Sequence, residues 1–232
     1  RAYDISRAVN LLGYDPKMVL SLKRMLAKPY GLFLVTGPTG SGKTTTLYSI
    51  LMHVNDPGKN LVTVEDPVEF ELKGINQVSI NDELGLTFSA CLRSILRQDP
   101  DVIMVGEIRD FETLDVAIKS ALTGHMVLST LHTNTAAESV VRMINMGIDP
   151  FLISASVELI VSQRLLRSLC PSCREPYVPT KEIAEKYGLF DSKGKTAGIF
   201  RPKGCKRCMN SGYQGRIGIA ETMVLSQSVK DL

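Results

Sequence analysis

The sequence predicts an α/β protein with a mostly parallel sheet, helices on both of its faces, and a small cysteine-bearing insert. Three observations carry this prediction. Four short apolar runs each read as a buried strand: Leu32-Phe33-Leu34-Val35, Leu61-Val62-Thr63-Val64, Val102-Ile103-Met104-Val105 and Met126-Val127-Leu128-Ser129. Each leads at once into polar or glycine-rich residues, and helical segments at 45–54 and 111–122 separate some of them, as in parallel sheets with crossover helices. After about Ser168 cysteine pairs, prolines and charges dominate, to about Gly218.

The elements follow in order. Residues 1–30 read as a helical lead-in. Asp15-Pro16 is a helix cap followed by proline at the first helical position, and Met18, Leu22, Met25 and Leu26 then share one helical face before Gly31 ends it. The expected core spans 31–168, the insert 169–218, and 219–232 starts a further segment. The chain opens on Arg1 and ends abruptly, so it reads as a piece of a longer protein. Its 232 residues are 44% hydrophobic and 22% charged, which suits an ordinary soluble core. The longest apolar run, 151–161, is broken by Glu158, and nothing approaches the ~18 apolar residues of a membrane span. No export signal is visible at the start. Net charge is only +3, but from Arg164 to Arg216 twelve Lys/Arg face four Asp/Glu, which leaves −5 for the rest. Such a segment is either a solvated face or a docking surface.

Chemistry begins after the first strand. Gly37-Pro38-Thr39-Gly40-Ser41-Gly42-Lys43-Thr44 matches the full phosphate-loop pattern between a predicted strand and a predicted helix. Small residues let backbone N–H groups curl around a phosphate, and the new helix offers its positive end. Lys43 reaches the terminal phosphates, and the Thr44 hydroxyl suits Mg²⁺.

The other strands end in polar residues. Glu65 and Asp66 follow the second, and Glu107 follows the third, where Gly106 precedes it. Hydrolysis of a phosphoanhydride needs an acid for the magnesium shell and a group that aligns water. Glu107 suits the first role as an atypical Walker B acid, and Glu65 suits the second. Arg93, Arg97 and Arg109 flank the third strand. Each serves either transition-state charge or an ion pair with Asp99, Asp101 or Asp110. His132 lies just past the fourth strand, where it can contact a γ-phosphate; His125 lies before that strand.

Cys170-Pro-Ser-Cys173 and Cys205-Lys-Arg-Cys208 are two C-x₂-C knuckles separated by thirty-one residues. Four thiolates make the usual tetrahedral set for structural zinc. Disulfides are the main alternative, disfavoured beside a nucleotide site in a chain with no export signal. With zinc bound, the basic segment drops from +8 to +6. Cys91 reads as a core residue.

From about residue 11 to residue 224 these motifs resemble the ATPases of bacterial type II secretion and type IV pilus assembly. The match includes Thr-Gly-Pro-Thr-Gly-Ser-Gly-Lys-Thr-Thr-Thr-Leu-Tyr, the aspartate box Val-Glu-Asp-Pro-Val-Glu, the Walker B region Leu-Arg-Gln-Asp-Pro-Asp-Val-Ile-Met-Val-Gly-Glu-Ile-Arg-Asp, and the histidine box Thr-Gly-His-Met-Val-Leu-Ser-Thr-Leu-His-Thr-Asn. The tetracysteine insert is similar to that of the secretion and pilus-extension branches and generally absent from the retraction branch. The resemblance implies a RecA-like core acting as a homo-hexamer that hydrolyses ATP with Mg²⁺. Glu65 would be the catalytic glutamate, Glu107 the Walker B acid, His132 a phosphate sensor and Arg109 a candidate for charge stabilisation. It implies a cytoplasmic protein, peripheral at the inner membrane, that acts on a platform protein and a cytoplasmic adaptor. A preceding domain would complete the nucleotide site. Two other readings stand beside it: a nucleic-acid-translocating motor, for which aromatics at 6% and the absence of tryptophan leave few stacking platforms, and a nucleotide-sensing scaffold with negligible turnover.

Overall fold

The computed structural model describes residues 14, 16–191 and 194–230. Asp15 and its expected cap lie outside them, as do residues 1–13 of the expected lead-in. In chain order the main elements are α1 (Pro16–Leu26), β1 (Gly31–Thr36), α2 (Lys43–Val54), β2 (Leu61–Glu65), β3 (Asn76–Ser79), α3 (Phe88–Ile95), β4 (Val102–Val105), α4 (Phe111–Leu122) and β5 (Met126–Leu131). They continue with α5 (Ala136–Asn145), α6 (Pro150–Ser156), β6 (Val157–Leu169), β7 (Glu175–Tyr177), α7 (Lys181–Tyr187), β8 (Ile199–Arg201), β9 (Tyr213–Val224) and α8 (Gln227–Lys230). The chain forms two compact units, one of residues 1–164 with 218–232, the other of residues 165–217.

The first unit holds the sheet, ordered β3-β2-β4-β5-β1-β6-β9, and neighbouring strands from β3 to β6 all pair in parallel. The four predicted strands are therefore adjacent: β2, β4, β5, β1. Their unbroken apolar character follows from burial on both faces. Leu32, Leu34, Val62, Val64, Ile103 and Val105 enter one apolar layer with α3, α4, α5 and α6. The alternate residues Phe33, Val35, Leu61, Val102 and Met104 enter a second with α1 and α2. Leu22 and Leu26 anchor α1 in that layer, with Met18 and Met25 against it. The helix caps are sequence-encoded: Thr87, Asp110, Thr135 and Asp149 each accept a backbone N–H at the start of α3, α4, α5 and α6. Cys91 is buried in the first layer.

Glu158, the charge that interrupts the long apolar run, sits in β6 and is only 8% exposed. It pairs with Lys28 and, at 2.9 Å, with Lys230. Burial pushes its pKa up, and the two ammonium groups more than offset this, so it lies below the ordinary carboxylate range.

The second unit contains the two-stranded antiparallel pair β7-β8, α7 and both cysteine knuckles. The insert expected at 169–218 falls over this unit. Among the described residues no helix is long and apolar enough to cross a membrane.

Candidate active site

The phosphate loop is the step from β1 into α2. Gly37, Gly40 and Gly42 take φ of 141°, 76° and 87°, where only glycine is unstrained. Gly37 is also constrained by space: a Cβ would stand 2.3 Å from the Gln163 carbonyl oxygen and 2.7 Å from Ser41 Oγ. α2 starts after Gly42 with no side-chain cap, which leaves its first backbone N–H groups for an anion. Lys43 Nζ donates to Gly37 O at 3.0 Å and Pro38 O at 3.2 Å, so the ammonium lies over its own loop. Burial lowers the Lys43 pKa, and the Glu107 carboxylate opposes that shift without cancelling it.

Pro38, Thr39, Gly40 and Thr44 are exposed, whereas Ser41 is buried. Among the described residues, Ser41 Oγ and Thr36 Oγ1 are buried side-chain oxygens with no hydrogen-bond partner. An unmade buried bond costs about 1–3 kcal/mol. Two such hydroxyls beside a glycine cradle, with the Thr44 hydroxyl exposed, form a donor set that fits a polyphosphate and its magnesium ion.

The strand-end acids occupy two different environments. Glu65 ends β2 and is 3% exposed. It accepts from Tyr48 Oη, from Thr63 Oγ1 at 2.5 Å and from Gln77 Nε2 at 3.1 Å. Oε1 takes two of these donors and Oε2 one, so Oε2 retains room for one more. Burial, and then Glu65 itself, push the Tyr48 hydroxyl well above its usual pKa, so it stays a donor.

Glu107, just past β4, is more accessible and charge-paired. It forms an ion pair with Arg109 and a 3.0 Å hydrogen bond with His132 Nε2, and Arg109 also reaches Asp66 at 3.2 Å. Burial pushes the Glu107 pKa up, and Arg109 and His132 together pull it below the ordinary range. An ionised Glu107 fixes a proton on His132 Nε2 for donation. Asp66, Glu107, Arg109 and His132 thus form one polar chain across the ends of β2, β4 and β5. Gly106 allows it: a Cβ there would crowd Val64 O at 3.3 Å and Glu65 Cα at 3.4 Å.

Of the residues weighed from sequence, Arg93 and Arg97 do not join this chain. Arg93 pairs with Glu112 at 2.6 Å, and Arg97 donates to the Arg93 carbonyl at 3.2 Å. Two of the acids expected as their partners are used elsewhere: Asp101 accepts from Asn60 N, and Asp110 caps α4. His125 bonds the Ser120 carbonyl at 3.0 Å, at the C-terminal end of α4. Sequence reasoning missed Tyr48, Thr63 and Gln77, which hold Glu65, and Gln163, which holds the loop. For Gln163 a signal was present, because a polar pair, Ser162-Gln163, ends an apolar run just as Glu65 does.

In the second unit Cys170, Cys173, Cys205 and Cys208 place their four sulfur atoms within 4.8 Å of one another, and all five cysteines are free thiols. The expected disulfide alternative is thus not what these residues form. Burial opposes ionisation of Cys208, but backbone N–H groups of Cys205 and Gly212, each 3.2 Å from its sulfur, help pull it down to about 6. A convergent all-sulfur donor set with one thiol already favouring the thiolate fits a tetrahedral zinc ion.

With this geometry in view, comparisons with known proteins agree. Residues 2–232 match the family model for type II/IV secretion system proteins. The type IV pilus assembly ATPase PilB of Myxococcus xanthus is 51% identical over 226 residues, which is 95% of this chain and 39% of that protein. The type II secretion system ATPase E of Vibrio cholerae is 51% identical over 213 residues, 91% of this chain and 42% of that protein. Among solved structures, the pilus retraction motor PilT with bound ADP superimposes with a TM-score of 0.70 at 29% identity, covering 96% of this chain and 54% of that one. The chain therefore spans about two fifths of the length of these curated relatives. A phosphate loop, strand-end acids and a strand-end histidine on four adjacent parallel strands, with a family match over nearly every residue, place this chain in the type II/IV secretion system protein family.

Proposed function

We propose that this chain is the ATP-hydrolysing core of a hexameric motor that powers assembly of a pilus or pseudopilus. One observation carries the proposal: β2, β4, β5 and β1 lie side by side and bring Glu65, Glu107, His132 and the phosphate loop to one sheet edge. The loop N–H groups and Lys43 bind the phosphates. Thr44 and Glu107 would hold a magnesium ion, which would supply positive charge to the phosphate oxygens. Glu65 takes a hydrogen bond from the attacking water on its remaining acceptor position, while Tyr48, Thr63 and Gln77 hold it in place. Arg109, oriented by Glu107, presents its charge at the phosphate end of the site, and His132, held through Nε2 by the same carboxylate, stands beside it. The four-cysteine unit holds zinc as a structural ion. The 51% relatives named for assembly and secretion favour the assembly direction over retraction.

Steady-state ATPase measurements on the purified oligomer test the catalytic claim. Glu65→Gln should lower turnover by about a hundredfold or more, with nucleotide affinity nearly unchanged. Unchanged turnover in that variant would remove Glu65 from the water-activating role.

A further inference from the structure

Gln163 meets the phosphate loop at its start and at its turn, yet it belongs to none of the motifs. It stands in β6, the strand beside β1, where Thr36 pairs with Ser162, so the residue after each of them is the next neighbour. It is 3% exposed. Its side-chain amide donates to the Ser41 carbonyl at 2.6 Å. Its Oε1 accepts from Thr46 Oγ1 at 2.8 Å and from Tyr14 Oη at 2.5 Å. Its own backbone carbonyl fills the space that makes glycine obligatory at position 37. One residue thereby fixes the start of the loop at Gly37, its turn at Ser41, and the first turn of α2 at Thr46.

Tyr14 adds a second connection. It lies ahead of α1, is buried, and its hydroxyl also sits 3.3 Å from Thr46 Oγ1. The shared amide joins a residue upstream of the core to the turn that cradles phosphate. A loop whose backbone N–H groups must converge on an anion gains affinity from being held in that shape beforehand. Loosening its support changes nucleotide binding before it changes the chemical step.

We propose that Gln163 is a positioning residue that preforms the phosphate loop, and that Tyr14 acts on nucleotide affinity through it. The inference rests on the loop being a nucleotide site, as argued above. Its consequence is that movement of the segment bearing Tyr14 alters nucleotide affinity without any direct contact to the nucleotide.

The test is a double-mutant cycle read by titration of fluorescent ADP, with ATPase KM and kcat measured alongside. Gln163→Met keeps the length and removes every side-chain hydrogen bond. It should weaken ADP binding by about tenfold, raise KM in step, and leave kcat within about twofold. Tyr14→Phe keeps the ring and should weaken binding by about threefold. Because both act through one amide, the double variant should be no weaker than Gln163→Met alone. Wild-type affinity in Gln163→Met overturns the positioning role, and multiplicative effects in the double variant overturn the link to Tyr14. A fall in kcat with unchanged affinity also overturns the proposal. If Gln163→Met does not fold, Tyr14→Phe decides alone, with unchanged affinity counting against the proposal. Lys43→Ala separates the two readings: if it loses ADP while Gln163→Met retains it, the phosphate-loop assignment stands and the positioning role falls. If the wild type itself binds no ADP, both fall.

Discussion

The sheet-bearing core and the cysteine unit solve the same problem in opposite ways. In the core, alternate residues of every central strand enter two apolar layers, and side chains such as Leu32, Ile103 and Leu114 are wholly excluded from water. Among the described residues of 165–217, only Cys170, Pro179, Ala184, Cys208 and Gly212 are buried. So little buried apolar surface does not offset the entropy of ordering a chain. What the second unit has instead is convergence of sulfur and stacked charge. Arg167 lies 4.0 Å over the Tyr213 ring and Arg174 4.5 Å over Phe200, contacts worth about 0.5–1 kcal/mol each when exposed. The contrast teaches that burial holds the sheet-bearing unit, whereas the other has little besides its converging sulfurs and stacked cations.

The largest effect should come from the metal. Metal analysis should find about one zinc per chain, and Cys170→Ser with Cys205→Ser should abolish it. Zinc binding of this kind is worth roughly 10 kcal/mol or more of local folding. Hydrogen exchange should then show residues 165–217 losing protection while the phosphate loop keeps its own. Metal retained in the double variant would sink the zinc assignment, and equal loss of protection in both units would erase the contrast. A smaller effect should follow from Ile103→Ala, which opens a cavity in the first of the two apolar layers. It should cost about 2–5 kcal/mol of core stability, read by chemical denaturation, and leave zinc content intact under native conditions. A cost below about 1 kcal/mol would contradict the two-layer description.

The smallest effect concerns acid. The pKa of Glu158 is held below its unfolded value of about 4.3. Its contribution is therefore complete above that pH and disappears as pH falls through the folded value. Glu158→Gln should flatten the acid side of the core's stability profile between about pH 5 and pH 3. A profile with unchanged slope would show that Lys28 and Lys230 do not stabilise that carboxylate.

What could be read from sequence follows the same division. The four central strands were legible because burial on both faces demands uninterrupted apolar residues. The residues after them were legible because ligands gather beyond the carboxyl ends of parallel strands. β3, with the sequence Asn-Gln-Val-Ser at the sheet edge, carries no apolar run and gave no signal. β6 was hidden for another reason: α6 ends at Ser156 and β6 begins at Val157, so helix and strand merge into one stretch of hydrophobic sequence. Gln163 ends an apolar run, as Glu65 does, but its partners stand at 14, 41 and 46, and no local pattern records contacts over such separations. Glu65 was found, but the three donors that hold it were not, since only the fold brings Tyr48 and Gln77 to it.

Glu158 has one more implication. Lys28, which leads into β1, and Lys230, beyond β9, both place their ammonium groups on that single carboxylate. The residues that lead into β1 and those beyond β9 thus lie within two lysine side-chain lengths of the same point. One buried charge therefore ties a segment ahead of the sheet to a segment behind it, and loosening either leaves the carboxylate with a single cation.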